Sequence, residues 1–525
     1  MNAKLRDAIF LCLCISLPFI YLPPEYQYFK FFGGSFSSSL AYYPALFGLL
    51  CTAYWSLKNN KKVFNKSFLL FSCVYCMGIL ISLIFGLIKY PYYDWLFEMP
   101  RDQFNGLSIL HHILENNNFY IEYKTLLVPY MLVSFLKNTI IDYLWSFGLA
   151  YLVYFWYKDD FKKGFALFFK GVLISAIIIA VYSFLDIGYL LRNETATNLL
   201  ILLNPYIHSI KIHHGWYPPL LSSGNALRSV FTEQGFIGNY ISYFLPMIYS
   251  RLLYVGDFIV HYSIIVFTYG FMVILTKART AMAIQFGILG VFFAVIWLEH
   301  FNKIILKKYL LILICCASSF FVGVLFLSYS NSLNNTTKNV VNNSHISLNE
   351  EAIGIIDNNL ISLGKKNARS NAGRYAAYKS SLRAFIENPI LGVGNGLSGA
   401  YVIDHFSDED KKDVEVKLWI NDFHKQGAFK AGINAMNEYI VTLTEQGIVG
   451  FVLKFFPFVY VVYNLFNFRR NLEFKWETMA LITMLFVNLV AVINGGLKLF
   501  HSPWVLLGLA YACLNSVIMS RDNKD

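Results

Sequence analysis

Apolar segments long enough to cross a membrane recur along this chain from end to end. A helix of roughly 20 apolar residues crosses the hydrocarbon core of a bilayer. Twelve such segments lie near residues 7–23, 39–57, 67–88, 138–157, 165–188, 236–254, 258–276, 280–298, 308–328, 446–465, 478–497 and 501–519. The pattern predicts an all-α, polytopic membrane protein with about twelve transmembrane helices. Residues 125–136 are also apolar and leave the count open by one or two.

The composition and the placement of charge agree with a lipid environment. Only 14% of the residues are charged, against about 25% in typical soluble domains. The net charge of +11 would suggest nucleic acid in a soluble protein, but here Lys and Arg fall in the short loops on one side of the predicted bundle. Lys58, Lys158, Arg251, Lys303 and Arg469 are examples. Cytoplasmic loops collect such residues, so we expect both termini in the cytoplasm and no nucleic-acid partner.

The predicted spans divide the chain into three parts. Residues 1–328 hold the first nine spans, with smaller outer loops near 89–137 and 189–235. Residues 329–445 form a large outer loop between the ninth and tenth spans, which we expect to be partly helical. Residues 446–525 hold the last three spans and a short cytoplasmic tail.

The large loop contains the stretch "GRYAAYKSSLRAFIENPILGVGNG", residues 373–396. One face of a helix here would carry the large apolar residues Tyr375, Tyr378, Leu382, Phe385 and Ile386. Their spacing predicts a helix packed by that face, with Arg374 and Arg383 at its borders. The glycines that follow Pro389 permit a tight turn. They are weak evidence for a phosphate cradle, because no strand precedes them.

Two cations lie where a membrane protein normally avoids them. Lys277 and Arg279, in "LTKARTAM", occupy a short turn between two spans on the outer side. Snorkelling to lipid headgroups is one explanation, and a cavity or ligand is the other. Arg279, Arg228 and Arg374 gathered at one outer cavity would bind phosphate through their flat, bidentate donor groups. The hypothesis is a receptor for a pyrophosphate carried on a lipid.

Other chemistry has little support in the sequence. There is no HExxH, no Cys/His cluster and no P-loop, so no metal and no cofactor is expected. The word Thr-Glu-Gln-Gly occurs twice, at residues 232–235 and 444–447, each time where an outer loop enters a span. We expect the two copies to share a local geometry.

These motifs resemble the O-antigen ligase and polymerase superfamily of bacterial membrane glycosyltransferases. The resemblance runs roughly from Arg228 to the C-terminus and includes the Arg279-Thr280 turn, the stretch at 373–396 and "NEYIVTLTEQGIVG". It implies an enzyme at the periplasmic face of the bacterial inner membrane. Donor and acceptor would both be glycans linked to undecaprenyl diphosphate, surrounded by membrane lipid. A chain-length regulator is left open as a partner.

The resemblance and the motifs together suggest roles for individual residues. The candidates for catalysis are Arg279, Arg374, Arg228, Glu445 and His424. The candidates for substrate binding are Lys277, Arg383, Glu233, Asn437 and Glu438. The arginines would stabilise a diphosphate leaving group. His424, Glu438, Glu445 and Glu233 are alternatives for the general base, and each also has an ordinary structural explanation.

One departure from the family separates the functional alternatives. Family ligases generally carry a His immediately before the Asn of the last motif, and here that position is Met436. A thioether accepts no proton, so an O-antigen polymerase is favoured over a ligase that moves glycan to lipid A core. A glycan transporter or flippase is the third alternative. It would be expected to show two equivalent halves with broken helices, and the sequence shows neither.

Overall fold

The computed structural model describes residues 2–29, 34–99, 104–208, 226–298, 302–336, 371–429, 431, 437–468, 475–497 and 500–522. Within these ranges the chain is helical and has no strand. Residues 337–370, which include most of the Asn-rich part of the predicted large loop, and Met436 lie outside the described residues, whereas the first residues of that predicted loop, 329–336, are helical.

Nineteen α-helices lie within the described residues. In chain order they are α1 (Ala3–Ser16), α2 (Tyr42–Asn59), α3 (Lys66–Lys89), α4 (Tyr93–Glu98), α5 (Asn105–Asn116), α6 (Tyr123–Tyr143), α7 (Leu149–Tyr157), α8 (Phe161–Leu190), α9 (Glu194–Ile207), α10 (Phe236–Tyr254), α11 (Ile259–Leu275), α12 (Arg279–Leu298), α13 (Lys303–Thr336), α14 (Asn371–Glu387), α15 (Ser398–Asp404), α16 (Val414–Gln426), α17 (Glu438–Phe468), α18 (Lys475–Ala491) and α19 (Ser502–Asp522).

Six of the described helices are long and apolar enough to cross a membrane. They are α3, α8, α12, α13, α17 and α19. Together with the helical content they confirm an all-α, multi-pass membrane protein. The other predicted spans fall on helices that are shorter or less apolar, namely α1, α2, α6 with α7, α10, α11 and α18. The count of twelve spans stays a prediction.

The fourth predicted span is part of a longer helical run. Helix α6 begins at Tyr123 and continues through a π-helical turn, Leu144–Gly148, directly into α7. The apolar segment 125–136 is therefore the first half of this run in the structure. Single π turns within α-helices are rare and are frequent at functional sites. This one carries Ser146, which lines an internal pocket described below.

The described helices form two apolar cores. The larger core is built by the long helices. The smaller core joins α4, α5, α14, α15 and α16 to the neighbouring ends of α3 and α6, through residues such as Leu87, Leu107 and Phe423. We call α4, α5, α14, α15 and α16 the cap layer. Because the smaller core includes side chains of α3 and α6, the cap layer is packed directly onto the long helices.

Helix α14 packs in a different way from the sequence prediction. Tyr375, Leu382 and Ile386 are 42%, 38% and 71% exposed, so the prediction that the large apolar face is buried is wrong. The buried face consists of the small residues Gly373, Ala376, Ala377, Ser380, Ser381 and Ala384. Small side chains allow close approach of neighbouring helices. A Cβ on Gly373 would lie 2.8 Å from Oε2 of Glu415 on α16.

The segment after α14, residues 388–397, is bonded along its length to α17. The N–H groups of Val393 and Gly394 donate to the carbonyl oxygens of Thr444 and Glu445, at 2.8 and 3.0 Å. In return, Ile448 donates to the carbonyl oxygen of Pro389, at 2.9 Å. These exchanges are possible because α17 is broken at Gly447, which frees the backbone groups on either side. The turn predicted after Pro389 is thus a docking segment for α17.

The two Thr-Glu-Gln-Gly copies have different geometries, so the expectation of a shared one is wrong. Gly447 lies inside α17 with φ 63° and ψ −166°, a conformation that is essentially restricted to glycine. Gly235 has helical angles at the start of α10. A Cβ added at Gly447 would meet the carbonyl oxygen of Ile390 at 2.3 Å, whereas at Gly235 it would meet nothing within 4 Å.

This contrast predicts opposite results for the same substitution. Gly447→Ala should destabilise the protein by about 1–3 kcal/mol, because alanine is strained at these angles and its Cβ collides with the docking segment. Gly235→Ala is the matched control and should leave stability nearly unchanged. The measurement is the thermal unfolding midpoint of each purified variant in detergent. Equal midpoints for the two variants would contradict the geometry described here.

Candidate functional site

Arg228 is buried, and an acid within membrane-spanning helix α8 fixes its main chain. The Asp186 carboxylate oxygen Oδ2 accepts hydrogen bonds from the backbone N–H groups of Arg228, at 2.8 Å, and of Ser229. Ser229 has a φ of 54°, and its hydroxyl donates to the carbonyl oxygen of Ile179 at 2.9 Å. The turn that carries Arg228 is therefore attached to α8 at two points.

The turn with Lys277 and Arg279 is joined to the same region. The backbone N–H of Leu227 donates to the carbonyl oxygen of Leu275, the last residue of α11, at 2.9 Å. Lys277 follows with a φ of 54°, and Arg279 begins α12. A Cβ on Gly238 of α10 would lie 3.1 Å from Cα of Ala281 of α12. The structure thus brings the chain around Arg228 and the chain around Arg279 to one end of the bundle.

Glu233 lies within electrostatic reach of two of the predicted arginines. Burial among neighbouring protein atoms raises the pKa of the Glu233 carboxyl, and the positive charges of Arg228 and Arg374 oppose that rise. Burial lowers the pKa of Arg228 to about 10, against the charges of Asp186 and Glu233. The Glu233 side chain is nevertheless accessible to solvent. The charge of Arg374, from the cap layer, and the charge of Arg228 therefore both act on Glu233. We call Arg228, Glu233 and Arg374 the arginine cluster.

Sequence reasoning missed two residues beside this cluster. Asp186 lies in an apolar segment where an acid is costly, and that cost was the signal available. His208 directly follows α9 and is 1% exposed. Burial and the neighbouring charge of Arg228 lower the pKa of His208 to about 3, so its ring is neutral at physiological pH. Nothing in the sequence distinguishes His208 from a surface histidine.

Three predicted site residues of α17 have partners inside the protein. Asn437 caps the helix, because its Oδ1 accepts from the N–H groups of Tyr439 and Ile440 at 3.0 and 3.2 Å. Glu445 accepts the hydroxyl hydrogen of Ser398 at 2.8 Å. Asn437, Glu438 and Glu445 are each less than a tenth exposed. These contacts argue for structural roles.

Glu438 has the most enclosed position of these residues. One of its oxygens contacts the ammonium group of Lys454, and the other accepts the N–H of Leu497 at 2.9 Å. Glu438 and Lys454 are 4% and 6% exposed. Lys454 lies on the far side of the Gly447 break, so this ion pair joins the two halves of α17 and ties them to the segment before α19.

The remaining predicted residues, His424 and Arg383, are exposed on the cap layer. The His424 ring makes an edge contact with the neighbouring ring of Phe423, with centroids 5.6 Å apart. Arg383 donates to the carbonyl oxygen of His405 at 2.8 Å. The described partners of both residues lie within the cap layer. The structure therefore does not group them with the arginine cluster.

A small polar pocket lies between the docking segment and helices α3, α6, α17 and α19. Its volume is about 30 Å³, which is room for about two water molecules. Asn395 donates to the hydroxyl of Thr139 at 2.9 Å and accepts from the side chain of Gln446 at 3.2 Å. Asp142 and Lys454 also line it. The pocket is too small for a sugar ring.

The cluster has the chemistry of an anion site with an acid–base group beside it. Guanidinium groups bind phosphate oxygens in pairs, and an accessible carboxylate can accept a proton from a bound hydroxyl. Among the described residues, no three His, Cys, Asp or Glu side chains are grouped so that they could hold a metal ion.

Comparison with known proteins found one family match. Residues 264–455 match the family model of O-antigen ligase. The match covers Arg279, Arg374 and the motif of α17, and it begins after Arg228 and Glu233. It confirms the resemblance to the O-antigen ligase and polymerase superfamily without separating the two branches. No curated protein matches the chain.

The buried pair of Glu438 and Lys454 generates a prediction about stability. Lys454→Met should destabilise the protein by about 3–5 kcal/mol, because it leaves the Glu438 carboxylate buried without its counter-charge. The double variant Glu438→Gln with Lys454→Met should recover most of that loss. Thermal unfolding in detergent compares them. A single variant as stable as the unmodified protein, or a double variant no better than the single one, would contradict the pairing.

Proposed function

From the match of residues 264–455 to the family model of O-antigen ligase, we propose that this protein is a surface-polysaccharide polymerase. It transfers a growing glycan from undecaprenyl diphosphate onto a lipid-linked repeat unit at the periplasmic face of the inner membrane. The observation that carries the proposal is that the charges of Arg228 and Arg374 both act on the accessible side chain of Glu233. A cationic site beside a base is what this transfer needs.

The proposed reaction is a single displacement. A hydroxyl oxygen of the acceptor sugar forms a bond to the anomeric carbon of the donor glycan. The bond between that carbon and the phosphate oxygen breaks, and undecaprenyl diphosphate leaves with the electron pair. Arg228, Arg374 and Arg279 stabilise the negative charge that develops on the diphosphate. Glu233 accepts the hydroxyl proton.

Glu233 is preferred as the base on grounds of position. Glu438 and Glu445 are engaged by buried partners, and His424 lies on the cap layer surface. Glu233 is accessible to solvent and adjacent to two arginines. Its raised pKa makes the carboxylate a stronger base than an ordinary glutamate.

The choice between polymerase and ligase depends on one position. Met436 stands where family ligases carry a histidine, which favours the polymerase. The second candidate is a ligase that transfers glycan to lipid A core, because the matching family model is described as O-antigen ligase. In both cases the donor site is the same and only the acceptor differs.

A gel of cell-surface lipopolysaccharide from a strain without this protein separates these functions. For a polymerase we expect core that carries a single repeat unit, with the ladder of longer chains gone. Core without any repeat, together with long glycan on the lipid carrier, would instead identify a ligase. An unchanged ladder would contradict both functions.

The same strain tests the arginines by complementation. Arg374→Ala or Arg279→Ala should fail to restore the ladder, because the loss of one transition-state contact costs about 10²–10³ in rate. Lys417→Ala is the matched control, since Lys417 is an exposed cation of the cap layer and should restore the ladder fully. Expression of each variant is checked by immunoblot. A normal ladder from either arginine variant at normal expression would contradict the proposed clamp.

Glu233 predicts the pH dependence of the rate. Because the carboxylate is the active form, the rate should fall as the pH drops through the pKa of Glu233. That pKa is raised above the ordinary value of 4.5, so the fall should begin at a higher pH than for an exposed glutamate. Glu233→Gln should lower the rate by about 10²–10⁴ and remove this acidic limb. Initial rates in proteoliposomes measure both effects, and an unchanged limb in the variant would exclude Glu233 as the base.

A further inference from the structure

Asp186 is an acid that the proposed reaction does not use, although it lies beside the reaction site. It is 8% exposed and belongs to α8, one of the six helices able to cross a membrane. A carboxylate in such a place is costly unless hydrogen bonds and an opposite charge compensate for the lost water. Acids are retained in membrane helices mainly where they have a function.

The Asp186 carboxylate binds the main chain of the turn that carries Arg228 and Ser229. Its Oδ2 accepts the N–H of Arg228 at 2.8 Å and the N–H of Ser229. Two successive N–H groups of this turn thus reach the same carboxylate oxygen. The charge of Arg228 also acts on Asp186. The carboxylate therefore holds the main chain of Arg228 and balances its charge.

Two further groups lie around this contact, the Ser229 hydroxyl and His208. The Ser229 hydroxyl donates to the carbonyl oxygen of Ile179, about two turns of α8 before Asp186, and His208 lies close to Arg228 and Ser229. The negative charges that act on Arg228 are Asp186 and Glu233. The neutral His208 ring adds no charge to this group. Glu233 is open to solvent, so Asp186 is the buried counter-charge of Arg228.

We propose that Asp186 is a positioning residue that holds Arg228 in place to bind the diphosphate of the lipid donor. This inference rests on the proposed function, because it takes Arg228 to contact the diphosphate. A carboxylate suits the role better than a neutral acceptor. It satisfies both N–H groups with charge-assisted hydrogen bonds, which are roughly twice as strong as neutral ones, and it keeps the buried guanidinium compensated.

The test measures binding, so that inactive variants remain informative. Full-length protein in nanodiscs is titrated calorimetrically with farnesyl diphosphate, a short isoprenyl diphosphate. Asp186→Ala and Arg228→Ala should each weaken binding on the order of tenfold, as expected for loss of a hydrogen bond to a charged group. Asp186→Asn keeps an oxygen that can accept both N–H groups and should lose less than Asp186→Ala.

The double variant distinguishes positioning from a general structural role. If Asp186 acts through Arg228, then Asp186→Ala should cause no further loss in a protein that already carries Arg228→Ala. The matched control is Ser175→Ala, which removes a buried hydroxyl on the same helix, about three turns from Asp186, that donates to the carbonyl oxygen of Val172 at 2.8 Å. This control should bind like the unmodified protein.

Two results would overturn the inference. One is a loss for Asp186→Ala that adds in full to the loss for Arg228→Ala, and the other is normal binding by Asp186→Ala. Normal binding by Arg228→Ala would instead contradict the diphosphate clamp, and with it the premise of this inference. Unfolding midpoints of all variants are measured in the same nanodiscs, and Asp186→Asn serves as the test if Asp186→Ala is not recovered as folded protein.

Discussion

A charge buried in a lipid-solvated bundle needs a partner, and the arrangement of this protein follows from how its buried acids are satisfied. Glu438 is matched by Lys454 and by a backbone N–H, so it joins the two halves of α17 to the segment before α19. Asp186 is matched by the main chain and the charge of Arg228. Both contacts brace the framework, and neither leaves an acid open to solvent. Glu233, which is accessible, is the acid that remains suited to chemistry.

The second constraint is the attachment of the cap layer to the long helices. The docking segment bonds to α17 on both sides of the Gly447 break, and the Ser82 hydroxyl of α3 donates to the carbonyl oxygen of Glu445 at 3.1 Å. Thr444 also donates to the carbonyl oxygen of Ser381 on α14 at 3.0 Å. Because α14 is held in this way, Arg374 at its start has a defined place beside Glu233. The glycines of this region therefore allow close contact between backbones. The pattern after Pro389 predicted a tight turn but not its contact with α17.

Much of the fold was predictable because lipid imposes a simple rule on sequence. Long apolar runs become helices, and the six helices that are long and apolar enough to cross a membrane fall on predicted spans. The packing of α14 was not predictable in this way. The prediction assumed that large apolar residues are buried, but the partner surface selected small residues that allow close backbone approach.

The candidate site could be proposed from the sequence only by residue type. Arginines on the unexpected side of the bundle suggested an anion site, and in the structure the charges of Arg228 and Arg374 both act on Glu233. The sequence did not separate Glu233 from Glu438 and Glu445, because the three differ only in partners that are distant along the chain. Asn437 likewise lies in a conspicuous motif, yet its side chain caps a helix. Asp186 was hidden for the same reason, since its partners lie more than 40 residues away.

The central claim is that this protein transfers a glycan with release of undecaprenyl diphosphate. The most direct measurement is reconstitution of the purified protein in liposomes with a single lipid-linked repeat unit, followed by mass spectrometry of the lipid fraction. The account predicts glycans of two or more repeats on the lipid carrier and one free undecaprenyl diphosphate for each linkage formed. Repeat units that stay single, with no undecaprenyl diphosphate released, would contradict it.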